Sequence, residues 1–190
     1  MALVNLTING EKVAVEAGST ILAAAKKLNI KVPTLCHMNL HAVNVEHTNA
    51  SCRVCVVEAE GRRNLAPACA TPVMEGMVIK TNSKRVLSAR KKVLELLLSD
   101  HPFDCLTCDK STACDLQSLA NEYGINVNTY KGFEQSNYDV DTSSPSIIRD
   151  PAKCVMCRRC ETVCSKVQTV GVLTGFGRGF QAVVSPAEMG

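Results

Sequence analysis

The chain has no tryptophan and only four phenylalanines and three tyrosines in 190 residues. So little aromatic volume restricts any core to aliphatic packing. Small domains with thin cores commonly need a staple, and a bound metal is one kind. No run approaches the roughly 18–20 apolar residues of a membrane span, so none is expected. Met1–Val4 has neither a basic start nor an apolar stretch behind it, so no secretory leader is expected. A dominant charge is missing as well: 21 Lys and Arg stand against 18 Asp and Glu, a formal +3. Gly175, Gly177 and Gly179 form G-x-G-x-G with no clear helix behind them. That excludes a dinucleotide fingerprint and predicts a turn between short strands.

Cysteine is what the chain has in excess. Eleven cysteines, joined by His101, form three patterns. Cys36, Cys52, Cys55 and Cys69 are spaced C-x15-C-x2-C-x13-C. His101, Cys105, Cys108 and Cys114 are spaced H-x3-C-x2-C-x5-C. Cys154, Cys157, Cys160 and Cys164 are spaced C-x2-C-x2-C-x3-C. An odd count and C-x2-C pairs favour metal ligands in a reducing, cytoplasmic setting over disulfides.

The surrounding pattern is α+β. Leu3–Ile8 alternates, Asn9-Gly10 signals a hairpin turn, and Lys12–Val15 returns as a strand. Ser19 or Thr20 can cap a helix from Ile21 to about Leu28, ended by Asn29 and Pro33. Arg53–Glu58 and Met77–Lys80 read as further strands around a turn at Gly61. Asn82 or Ser83 can cap a helix through Leu98, with Val86, Leu87, Val93, Leu94, Leu97 and Leu98 on one face. A helix over Asp115–Tyr123 stops at Gly124, and Asn126–Pro145 reads as a polar linker or surface loop.

Thiolates are soft anionic donors, and four of them complete the two tetrahedral irons of a 2Fe–2S core. The first group fits that core, with the C-x2-C pair on one iron and the flanking cysteines on the other. His37, His41 and His47 lie in its long loop and read as surface residues rather than ligands. The second group fits a 4Fe–4S cubane in which neutral His101 replaces a thiolate, which makes the core less electron-rich. The third group is the bacterial ferredoxin run, whose fourth cysteine normally serves a second cluster. No second run is present, and Ser165 stands where that run usually has proline. Either these four bind one cluster alone, or the pair is completed beyond Gly190, as in a fragment of a longer polypeptide. Each ligating thiolate adds about −1 and each core about +2, so the loaded chain falls to about −2. The basic excess is then weak evidence for nucleic acid. Lys84-Arg85, Arg90-Lys91-Lys92 and Arg158-Arg159 read as solvated faces or cluster counter-charge.

Taken in this order, the motifs resemble a known family. Ser51-Cys52-Arg53-Val54-Cys55-Val56-Val57-Glu58, Gly61–Pro67 and Leu96-Leu97-Leu98-Ser99-Asp100-His101-Pro102 are similar to one N-terminal region. It is shared by the large peripheral subunit of complex I, NAD-dependent formate dehydrogenase large subunits and multisubunit FeFe hydrogenases. Cys157–Cys164 with Gly177-Arg178-Gly179-Phe180 is most similar to NAD(P)-linked, often electron-bifurcating, FeFe hydrogenase catalytic subunits. The resemblance implies a ubiquitin-like β-grasp 2Fe–2S ferredoxin domain over 1–80. A small His/Cys-ligated 4Fe–4S domain over 81–140 follows, then the first half of a two-cluster ferredoxin domain over 141–190.

The implied function is an electron relay between a hydrogen-active iron cluster, held only by a downstream region, and partner subunits. Those partners would carry flavin, NAD(P) and further iron–sulfur, with soluble ferredoxin as another. These residues alone would transfer electrons and hold no catalytic group. The alternatives are the same relay in a formate dehydrogenase or complex I-like subunit and, from another class, a zinc-stabilised interaction module.

Overall fold

Alternating residues build β1 (Leu3–Ile8) and β2 (Glu11–Glu16), paired antiparallel through the Asn9-Gly10 turn. Both turn residues hold positive φ, 52° and 94°, as a tight hairpin turn requires. The computed structural model describes residues 2–43, 45, 50–127, 129–130 and 139–186. They divide into two compact units, one from residues 1–37 and 47–93, the other from 38–46 and 94–190.

In the first unit, α1 (Ile21–Lys27) is capped by Thr20, whose hydroxyl accepts from the Ala23 N–H at 3.2 Å. Left-handed Asn29 ends it, and the Ile30 N–H returns to the Ala25 carbonyl at 2.9 Å. Strands β3 (Val56–Ala59), β4 (Ala66–Pro67) and β5 (Val78–Lys80) complete a sheet in the order β2-β1-β5-β3-β4. β1 and β5 run parallel, and the other neighbours run antiparallel. The strand expected from Arg53 begins only at Val56, because Arg53 sits at φ 58° and cannot join a ladder. β4 gave no sequence signal, being two residues long with one a proline. Leu6, Ile8, Val15, Ile21, Val57 and Ile79 fill the core, all aliphatic.

Helix α2 (Lys84–Ser99) is started by the Ser83 hydroxyl, which accepts from the Val86 N–H at 3.3 Å. Val86, Arg90, Leu94 and Leu98 are buried at every fourth position, with Glu95 and Ser99 buried beside the last two. Leu87, expected on that face, is 44% exposed. Arg90 is 3% exposed, and its Nε and Nη2 donate to the Val56 carbonyl at 3.2 and 2.8 Å.

In the second unit, α3 (Asp115–Glu122) stops at left-handed Gly124, as expected. A short α4 (Arg159–Thr162) runs on into a π-helical turn at Val163–Val167. β6 (Thr174–Phe176) and β7 (Val183–Ser185) pair antiparallel, with Gly177 and Gly179 between them. Gly177 has φ 68°, and a Cβ there would fall 2.4 Å from the Gln181 carbonyl oxygen, so only glycine fits. Much of the polar stretch expected over 126–145, namely 128 and 131–138, lies outside the described residues. Among the described residues, no helix is long and apolar enough to cross a membrane.

The hairpin turn also closes the sheet. Asn9 Nδ2 donates to Thr81 Oγ1 at 2.7 Å, and the Thr81 N–H donates to Asn9 Oδ1 at 2.8 Å. Asn9→Ala removes both bonds and the residue type that tolerates positive φ. It should cost about 2 kcal/mol, read as a lower urea midpoint by circular dichroism; an unchanged midpoint would contradict this role.

Candidate metal centres

β3–β4 pairing and α1 build the first site. Val56 lies opposite Pro67 and Val57 opposite Ala66, and the Ala68 N–H donates to the Cys55 carbonyl at 3.1 Å. Cys55 therefore faces Cys69, with their sulfurs 3.3 Å apart. The first free amides of α1 hold the same loop, Ile21 donating to the Thr71 carbonyl and Leu22 to that of Ala68. Left-handed Ala50 and Arg53 bend the chain on either side of Cys52. All four cysteines are buried, at 1%, 5%, 1% and 1% exposure for Cys36, Cys52, Cys55 and Cys69.

Their electrostatics follow from contact with one another. Hydrogen bonds from Cys52 and Cys69 hold the Cys36 thiol far below its ordinary value. Cys69 pulls Cys55 down to about 7. Cys52 is pushed up by serving Cys36, and Cys69 by serving Cys36 and Cys55, with burial adding to both. Cys55 and Cys69 are in direct sulfur contact, and Cys36 interacts with both Cys52 and Cys69. The Arg53 bend lies between Cys52 and Cys55, and the β3–β4 register sets Cys55 beside Cys69. His37 is half-buried. The His41 side chain and His47 lie outside what is described.

The second site follows the end of α2. The His101 N–H donates to the Leu98 carbonyl at 3.2 Å. His101 Nδ1 lies 2.9 Å from the Pro102 carbonyl oxygen. A carbonyl can only accept, so Nδ1 carries a proton, and in the neutral ring Nε2 keeps its lone pair. Such a backbone partner commonly fixes the tautomer of a metal-binding histidine. Burial pushes the neighbouring Asp100 carboxyl up, and His101 opposes the shift. Cys105, Cys108 and Cys114 are half-buried. Cys114 is the N-cap of α3, its sulfur accepting from the Gln117 N–H at 3.5 Å. The Pro102 carbonyl and this sulfur cap escape sequence reading, since only the backbone path reveals them.

In the third run, burial raises the Cys154 thiol, and the charges of Cys157 and Cys160 add to the rise. Cys164 is engaged elsewhere, its sulfur accepting from the Leu173 N–H at 3.5 Å. Cys160 is exposed and the other three are half-buried.

None of the eleven cysteines is in a disulfide. Among the described residues, no three His, Cys, Asp or Glu side chains surround one point as ligands of a single ion. The first four cysteines are packed sulfur against sulfur instead. Four buried soft donors, with no acid or imidazole in the set, suit a dinuclear iron core better than one hard cation.

The comparisons agree with this chemistry. Residues 1–84 match the family described as the 2Fe-2S iron-sulfur cluster binding domain. Residues 90–128 match the NADH-ubiquinone oxidoreductase-G iron-sulfur binding region. The chain therefore carries two iron–sulfur domains, one binding 2Fe–2S and one 4Fe–4S. It is homologous to subunits of hydrogenases and of NADH-quinone oxidoreductase. Over 98% of its length it is 62% identical to NADP-reducing hydrogenase subunit HndD of Solidesulfovibrio fructosivorans, covering 32% of that protein. Over 98% it is 37% identical to an NADH-quinone oxidoreductase subunit of Rhizobium meliloti, covering 21%. The chain thus spans a third or less of these curated relatives. The crystal structure of an NAD+-reducing [NiFe]-hydrogenase in the H2-reduced state superposes with a TM-score of 0.86 at 28% identity. That match covers 98% of this chain and 76% of that one.

The 3.3 Å sulfur contact carries a prediction. Mild oxidation of iron-free protein should link Cys55 to Cys69 in preference to Cys52 and Cys55. Peptide mapping by mass spectrometry reads the pairing, and a dominant Cys52–Cys55 link would refute the preference set by this contact.

Proposed function

We infer that these residues are the electron-relay region of a multisubunit NAD(P)-linked hydrogenase, of the FeFe and electron-bifurcating kind. The observation that carries the reading is the buried tetrad Cys36, Cys52, Cys55 and Cys69, four free thiols converging in an aliphatic shell. Its 2Fe–2S cluster belongs to a β-grasp domain over 1–80. A 4Fe–4S cluster on His101 Nε2, Cys105, Cys108 and Cys114 belongs to a domain over 81–140. Cys154, Cys157 and Cys160 belong to one cubane of a ferredoxin-type domain over 141–190, and Cys164 to another.

Iron–sulfur clusters supply one-electron transfer at potentials set by ligands, hydrogen bonds and exposure. The chain's own residues set those terms. The core around the first site excludes water, the Pro102 carbonyl fixes the imidazole of His101, and the Gln117 N–H donates to the Cys114 sulfur. The partners are subunits carrying flavin, NAD(P) and further iron–sulfur, with soluble ferredoxin as another. Eleven free thiols suit the cytoplasm. The named relatives support a relay shared by parents of different chemistry, since one is an NADP-reducing hydrogenase subunit and another an NADH-quinone oxidoreductase subunit. The 62% identity to the former favours the hydrogenase parent.

Two experiments test the reading. His101→Cys should keep a cubane that is harder to reduce, because an anionic thiolate replaces a neutral ring. His101→Ala should lose the cluster or leave it labile. In an EPR-monitored redox titration, an unaltered 4Fe–4S potential in both variants would remove His101 from the ligand set. Separately, the 190 residues reconstituted alone should hold about six irons, as one 2Fe–2S and one 4Fe–4S cluster. About ten irons would mean that Cys154, Cys157, Cys160 and Cys164 bind one cluster together.

A further inference from the structure

Asp115 and Arg159 are distant in sequence, and each adjoins a cysteine of a different group. Asp115 follows Cys114, and Arg159 precedes Cys160. Both lie in the second unit, where Arg159 Nη1 donates to Asp115 Oδ2 at 3.0 Å. The ion pairs Arg149–Asp141, Lys153–Asp150 and Arg158–Glu161 each join residues close in sequence. This one joins the second cysteine group to the third.

The local structure directs the Arg159 charge to Asp115. Arg158 sits at φ 58°, and its guanidinium donates from both Nε and Nη2 to Glu161. It also packs against Gly175, where a Cβ would come within 3.1 Å of Nη2. Glu161, the acid in the first turn of α4, is therefore already neutralised. Arg159 faces outward to Asp115, with side chains 36% and 58% exposed. An exposed pair of this kind adds little stability, so its consequence lies in charge and placement. A carboxylate one residue from Cys114 opposes adding an electron at the second site. A guanidinium on that carboxylate offsets the opposition.

We propose that Arg159 is a positioning and charge-compensating residue for the His101, Cys105, Cys108 and Cys114 site. It ties the third cysteine run to that site and makes the site easier to reduce, so the two groups communicate through this pair. The inference rests on the cluster assignment above.

The test uses the full 190-residue chain, reconstituted anaerobically with iron and sulfide and followed by EPR-monitored redox titration. At low salt, Arg159→Gln should lower the reduction equilibrium constant of the 4Fe–4S signal about threefold, the scale of an exposed ion pair. Asp115→Asn should raise it, and the double variant should lie close to the unaltered protein. Arg159→Lys should restore most of the effect. The Arg159→Gln shift should shrink in 1 M salt, where the screening length is about 3 Å. The 2Fe–2S potential should stay fixed throughout, which separates this role from a general structural one. The inference is overturned if Arg159→Gln leaves the 4Fe–4S potential unchanged, or if the double variant shifts as far as Arg159→Gln alone. Absence of any 4Fe–4S signal from the unaltered protein would instead overturn the cluster assignment, and this inference with it.

Discussion

Burying four sulfurs together is the constraint on which the first unit depends. Cys36, Cys52, Cys55 and Cys69 lie beneath the surface among Val54, Val56 and Ala68. Thiolate charge in such a shell is costly unless a cation balances it. Protonated thiols can only share hydrogens among themselves, and their opposed pKa shifts express that compromise. Much of the local backbone serves to maintain the convergence. The two-residue β4 sets Cys69 against Cys55, and the start of α1 clamps the loop that carries Cys69. Iron would resolve the conflict by removing the protons, so holding metal and holding the fold are one problem here.

The second unit solves the same problem with less burial. Its cysteines are half-buried or exposed, and short-range devices place them. A helix end presents His101, a carbonyl one residue on selects its tautomer, and Cys114 caps the helix that follows. Leu173 on the approach to β6 anchors the sulfur of Cys164. These sites depend on turns rather than on a core, as befits a chain so poor in aromatic residues.

Spacing made the sites legible, and pairing made the sheet partly so. Asn9-Gly10, the alternation of Leu3–Ile8, the α1 cap and the stop at Gly124 all announce themselves, because each rests on a local backbone preference. The register of β4 does not, since two residues cannot carry a period. Nor does spacing show which cysteine faces which. Left-handed Arg53 lies between Cys52 and Cys55, and Cys55 touches the distant Cys69. Arg90 is unreadable for a similar reason. A basic run suggests a solvated face, yet one member of Arg90-Lys91-Lys92 points inward to the Val56 carbonyl. Long-range geometry decides such cases, and a single sequence records it only indirectly.

The Asn9-Gly10 turn has a consequence for how the protein ages. Asparagine before glycine is the dipeptide most prone to deamidation, because glycine leaves the following backbone nitrogen open to attack on the side-chain amide. Closing that ring requires the Asn9 amide to swing back over its own backbone. Here Thr81 holds it away from both ends, accepting from Nδ2 and donating to Oδ1. The residue best suited to the bend is therefore also its chemical weak point, and the end of β5 acts as its preservative.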